Sequence, residues 1–176
     1  MGAYYEACVR DERYCTHELN NGLKLMEHGY IGNNYCQAIE YKLLNNPQPL
    51  VWVCDYHEED DRCSITWENT EEGTLEEAPN AYIKNKIVYV LNHSKGLYFE
   101  LSKVQELLGE SEYGLYIHPL PILCNSDITA MGGGDFHPED IRRGTWCLDD
   151  ISVSTDYIPL LDEFEDVTKD VLFKEI

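Results

Sequence analysis

Cys54, His57 and Cys63 stand in the spacing Cys-x2-His-x5-Cys, at the exit of the apolar run Leu50-Val51-Trp52-Val53. Two thiolates and an imidazole are ligand types of a tetrahedral zinc site. Such soft ligands favour zinc over calcium or magnesium, which take oxygen. A closed structural site needs a fourth ligand, and Cys124, at the end of a second apolar segment, is the candidate. The cofactor expected from the sequence is therefore a structural zinc on Cys54, His57, Cys63 and Cys124. The spacing is half of a known zinc pattern, and a buried Cys54 with solvated His57 and Cys63 is the plainer alternative. A second grouping, Cys8, Cys15 and His17, would converge if residues 2–9 and 14–17 paired as a hairpin. Cysteines on apolar strands are more often core packing.

A third grouping is Gly132-Gly133-Gly134-Asp135 with His137. Consecutive glycines can wrap a phosphate through backbone amides. The lysine or hydroxyl residue that completes such a loop is missing here, so a structural turn is expected. Asp135 and His137 together with His118 would form an oxygen/nitrogen metal site, and a metal-dependent hydrolase is the enzyme alternative. The chain has no nucleophile elbow, P-loop, dinucleotide fingerprint or paired-histidine protease motif. The expectation is a protein that is not an enzyme.

Charge says more. The chain carries 33 acids against 13 lysines and arginines, a formal net charge of −20. Such a surface repels phosphate backbones, so direct nucleic-acid binding is disfavoured. It attracts basic surfaces and speeds encounter with them. The acids gather in runs: Glu58, Glu59, Asp60 and Asp61; Glu71 and Glu72; Asp162, Glu163, Glu165 and Asp166. These are the expected partner-binding residues. Acidity serving only solubility, with a partner unrelated to nucleic acid, is the competing account.

The elements that must position these groups follow from length and pattern. A chain of 176 residues with 43% hydrophobic content suits one acidic domain, residues 1–176, with a real core. No apolar run is long enough for a membrane span, and the N-terminus lacks a secretory signal, so a cytoplasmic protein is expected. The expected fold is α+β: a mixed or mainly antiparallel sheet with one principal helix, about 34–45, packed on it. Tyr35, Ala38, Ile39 and Leu43 give that helix its apolar face, and Pro47 ends it. Residues 49–54, apolar on both faces, read as a central strand. Residues 87–92 and 97–101 read as a hairpin closed by His93-Ser94-Lys95-Gly96. Residues 115–124 are expected to be extended because of Pro119 and Pro121, and residues 144–149 and 151–158 to be strands. No internal repeat is apparent.

Several segments carry a resemblance. Asn21-Gly22-Leu23-Lys24-Leu25-Met26-Glu27-His28-Gly29-Tyr30-Ile31-Gly32-Asn33, Val51-Trp52-Val53-Cys54-Asp55-Tyr56, Ile117-His118-Pro119-Leu120-Pro121 and Gly132-Gly133-Gly134-Asp135-Phe136 resemble a family of small proteins carried by phages and mobile elements of gut Firmicutes. By its small size, acidity and context the chain is also similar to type II anti-CRISPR proteins, which inhibit Cas9. Cas9 holds nucleic acid in positively charged channels that an acidic protein could occupy. The resemblance implies an inhibitor in the bacterial cytoplasm that binds Cas9 and blocks DNA loading.

Overall fold

The computed structural model describes residues 3–56, 64–127 and 140–174. Eight strands form one mixed sheet in the order β4-β2-β1-β3-β7-β5-β6-β8. They are β1 (Tyr5–Val9), β2 (Glu12–Tyr14), β3 (Gln48–Cys54), β4 (Glu71–Gly73), β5 (Tyr89–Asn92), β6 (Leu97–Glu100), β7 (Asp150–Ser154) and β8 (Glu165–Asp166). The helices are α1 (Leu25–His28), α2 (Asn34–Lys42), α3 (Asn80–Ile83), α4 (Leu101–Leu108) and α5 (Pro119–Leu123). The fold is α+β, as the sequence predicts.

The pairing contains a repeat that the sequence does not announce. β1 and β2 form an antiparallel hairpin, β3 adds antiparallel to β1, and β4 adds parallel to β2. β5 and β6 form an antiparallel hairpin, β7 adds antiparallel to β5, and β8 adds parallel to β6. The halves thus share one topology and meet where β3 pairs antiparallel with β7. Matching the tip pair Val9↔Glu12 to Asn92↔Leu97 sets Ala7 on Val90, Tyr14 on Phe99 and Leu50 on Ile151, all core residues. Under that match Pro49 corresponds to Asp150, and these two residues pair with each other across the centre. A pseudo-twofold axis therefore passes between them. The hairpin loops differ by two residues, so no single sequence offset aligns both strands of the two hairpins.

β3 is central and buried on both faces. Leu50, Trp52 and Cys54 enter the main core, while Val51 and Val53 meet Cys8, Ile65, Trp67 and Leu148 on the other side. α2 covers the main face with Tyr35, Ala38, Ile39 and the following Leu43. Its N-cap Asn33 accepts from the amides of Tyr35 (2.8 Å) and Cys36 (3.3 Å). The helix stops short of residue 45 because β7 captures its end: Asn45 N donates to Val153 O, and Val153 N donates to Leu43 O.

Two segments depart from expectation. Residues 119–123 are helical, not extended. Pro119 opens α5, and Pro121 still lies in the first turn, where amides have no intrahelical acceptor and none is missed. His118 caps the turn by accepting from Leu120 N at 3.1 Å. Residues 144–149 are not a strand but part of a turn, with Gly144 at φ 71° and Leu148 at φ 61°. Trp146 nevertheless reaches the core beside Phe99, with ring centroids 5.6 Å apart.

Candidate functional site

The acids expected to engage a partner lie on the two outermost strands. Glu71 and Glu72 form most of β4, and Glu165 and Asp166 form β8; all four are exposed. Under the pseudo-twofold match they are equivalent: Glu71 lies beside Glu12 as Glu165 lies beside Leu97, and Glu72 beside Arg13 as Asp166 beside Tyr98. Asp162 and Glu163, also exposed, precede β8. Glu58, Glu59, Asp60 and Asp61 lie outside the described residues.

The β8 edge adjoins a tyrosine surface built from β5, β6 and the segment after β7. Tyr89 packs edge-on against Tyr98 (6.2 Å) and against Tyr157 (6.4 Å), and Tyr157 is 61% exposed. Tyr157 donates its hydroxyl to Asp162, and that bond holds the phenol above its ordinary value. Burial pushes the Asp166 carboxyl up, but the Thr168 hydroxyl (2.5 Å) and amide (2.9 Å) outweigh it and hold the group below its usual value. The acid at this edge is thus fixed in its charged form. Lys103 pairs with Glu100 at 2.9 Å.

The β4 edge is built differently. Glu6 is buried on β1, and Arg13 of β2 pairs with it. The Arg13 guanidinium lies 4.2 Å from the Trp67 ring centroid and donates from Nε to Thr70 at 3.1 Å. The β1/β2 register of Cys8 opposite Arg13 brings Cys15 opposite Glu6. The chain then turns into a 3-10 helix, Thr16–Leu19, which returns His17 to Cys15, with Sγ and Nδ1 3.5 Å apart. Glu6, Cys15 and His17 each offer a ligand atom, all within 4.8 Å of one another, and form a possible metal-binding triad. Burial pushes the Cys15 thiol up, with the Glu6 charge adding to it and a backbone hydrogen bond at His17 opposing it.

This corrects the second grouping read from the sequence. The hairpin forms and brings Cys15 and His17 together. Cys8 sits two pairs further along, donates to Arg10 O at 3.4 Å and packs with Val51 and Val53, so the buried Glu6 stands in its place. The register decides this, and a hairpin read with its turn at Arg10-Asp11 would have found it.

The zinc expected on Cys54 loses its fourth ligand. His57 and Cys63 lie outside the described residues, but Cys54 and Cys124 are both in place and do not converge. Trp52 bridges in parallel to Asn125, so Cys124 falls about three residue rises behind Cys54, roughly 10 Å along the strand. Cys124 Sγ faces Trp146 O at 3.6 Å, whereas Cys54 Sγ accepts from Tyr56 N at 3.4 Å. Burial raises both thiols, Cys54 to about 12 and Cys124 well above the ordinary value.

The hydrolase alternative loses His118. Its Nδ1 accepts from Leu120 N, so Nε2 carries the proton and donates to Glu40 at 2.9 Å. Tyr82 donates to the other Glu40 oxygen at 2.5 Å. Both ring nitrogens are engaged in a buried structural network, and Asp135 and His137 lie outside the described residues. A second buried network, Tyr5 with Asp127 (2.9 Å) and Arg143 (3.1 Å), adjoins Cys54 and ties β1 to the segment after α5. Neither network was visible in the sequence, because each joins residues dozens of positions apart.

Among the described residues no helix is long and apolar enough to cross a membrane. No protein-family model matches the chain, and no curated protein and no solved structure matches it either.

Proposed function

We propose that this chain is a non-catalytic interaction protein. It presents acidic edges to the basic surface of a nucleic-acid-binding partner in the bacterial cytoplasm, and Cas9 is the first partner to test. The observation that carries the reading is the placement of Glu71, Glu72, Glu165 and Asp166, exposed at equivalent positions on both sheet edges of a chain with net charge −20. Fixed charges on paired strands lose little conformational freedom on binding, so the association keeps more of its electrostatic gain. Tyr89, Tyr98 and Tyr157 beside one edge add the aromatic faces on which arginine and lysine pack. The likeness to small proteins of phages and mobile elements brings Cas9 forward among basic partners. A structural zinc belongs to this reading, as an ion that holds an acidic element in place.

A second reading is favoured by the same placement. Charges on edge strands prevent edge-to-edge pairing with other sheets, whatever else they do. The experiment that separates the two titrates the protein into guide-loaded Cas9 and follows target-DNA binding and cleavage at low and high salt. The proposal expects loss of DNA loading at low salt and a slower association as salt rises. Unimpeded DNA binding at excess protein overturns it. Aggregation of the Glu165→Gln/Asp166→Asn variant with unchanged partner binding would leave edge protection as the sole role.

A further inference from the structure

The geometry points to a soft-metal site at Glu6, Cys15 and His17 that takes zinc and clips the β4–β2 edge to the body of the sheet. This inference needs no partner and holds whether or not the acidic edges bind one. Cys15 supplies sulfur, His17 nitrogen and Glu6 oxygen, and zinc accepts all three. Ligand atoms around a tetrahedral zinc stand roughly 3.3–3.7 Å apart, given bonds of about 2.0–2.3 Å. The 3.5 Å between Cys15 Sγ and His17 Nδ1 already meets that spacing. Glu6 lies within 4.8 Å of both and closes the set with a small side-chain rotation.

Glu6 can serve without giving up its ion pair. Arg13 holds Oε2, while Oε1 has a 3.3 Å contact from Thr16 N. A ligating carboxylate that is itself held by a second group is the usual arrangement around protein-bound zinc. The other half of the sheet closes the matching corner with other side chains. There Tyr89 matches Glu6 and Glu100 matches Cys15; Lys103 pairs with one Glu100 oxygen and Ser102 donates to the other at 2.8 Å. Its polar needs are met inside the chain. In the first half a thiol stands where the second half has that carboxylate, and an imidazole stands where it has the Ser102 hydroxyl. Thr16, between the two ligands, buries a hydroxyl that has no hydrogen-bond partner among the described residues. Unmet buried polar groups of this kind commonly mark a site for an ion or an ordered water.

The position gives the metal its effect. β2 holds β4 through only three residue pairs, and one of them sets Glu12 against Glu71. Like charges directly opposite weaken a strand pair. Glu72 also adds its charge at Cys15. A divalent cation here lies in the field of these acids, joins β1 to the end of β2, and so stiffens the strand that carries the edge. His17 is exposed, so the fourth tetrahedral position is open to water.

The test is titration of metal-stripped, reduced full-length protein with cobalt(II), and then with zinc in competition. The expected result is one cobalt per chain with a near-ultraviolet thiolate-to-cobalt charge-transfer band that zinc removes. Cys15→Ser abolishes the band, and His17→Ala, at an exposed position that leaves the core untouched, weakens cobalt at least tenfold. Zinc raises the melting temperature of the unaltered protein, and His17→Ala loses that rise. A band that survives Cys15→Ser but vanishes in Cys54→Ser overturns the assignment, as does cobalt affinity unchanged by His17→Ala, or no cobalt bound at all. Partner capture plays no part in these readouts, so their failure is distinct from failure of the interaction reading.

Discussion

The two halves of the sheet share one wiring and differ in how each holds a buried acid. In the first half Glu6 is 1% exposed and relies on Arg13, itself stacked on Trp67. In the second half Glu100 is 9% exposed, paired with a Lys103 that is largely in solvent and helped by Ser102. The comparison teaches that topology and local chemistry are separable. A repeated hairpin with a parallel acidic edge can be closed by a deep ion pair beside sulfur and nitrogen ligands, or by a shallow one beside tyrosines.

The largest effect should come from breaking the asymmetry of the ion pairs. Arg13→Ala leaves Glu6 buried without its cation and is expected to cost about 4 kcal/mol in urea unfolding. Lys103→Ala removes an exposed partner and should cost under about 0.5 kcal/mol. Equal costs for the two would show that the halves are energetically alike after all.

Acid should act next, and in the first half. His28 is fully buried; its Nδ1–H donates to Gly22 O at 3.0 Å and its Nε2 accepts from Trp52 Nε1 at 3.2 Å. Burial lowers its pKa from 6.5 to about 4. The unfolded chain therefore takes up the proton first. The stability linked to neutral His28 is complete above pH 6.5 and is lost as pH falls toward 4, by about 3 kcal/mol at most. Urea melts across that range, with His28→Gln as the control that flattens the profile, check it.

In the second half the sensitive point is Thr168. Its hydroxyl donates to Asp166 and accepts from Glu100 N at 3.1 Å. Thr168→Val should cost about 1–2 kcal/mol. It should also speed hydrogen exchange at the Glu165 and Val167 amides, which donate to Gly96 and Tyr98, and leave the Glu71 amide unchanged. The Asp166 carboxyl, held low, should then titrate closer to its ordinary value, so the part of the stability lost below about pH 4 shrinks.

The smallest effect sharpens the functional side of the comparison. If the edges steer a basic partner, Glu165→Gln/Asp166→Asn should slow association about fivefold at low salt. Glu71→Gln/Glu72→Gln should slow it only about twofold, because Glu12 beside Glu71 keeps a charge on that edge, whereas β8 pairs with Leu97 and Tyr98. Stopped-flow rates at two ionic strengths distinguish this from equal effects at both edges.

The sequence by itself determined the fold class, the central strand 49–54, the hairpin across 93–96, the helix begun by Asn33, and the acidity of the segments that became edges. Each rests on a local signal: period, cap, turn residue or charge. It did not determine that Pro119 and Pro121 open a helix, because proline's missing amide matters only once its place in the first turn is known. It also left open that Cys15 meets Glu6 and not Cys8, that Cys54 and Cys124 stand apart, and that the chain folds as two equivalent halves. Those outcomes depend on register and on loop length. A shift of one residue in pairing exchanges the faces of a strand, and two hairpins with loops of different length hide the same wiring behind sequences that do not align.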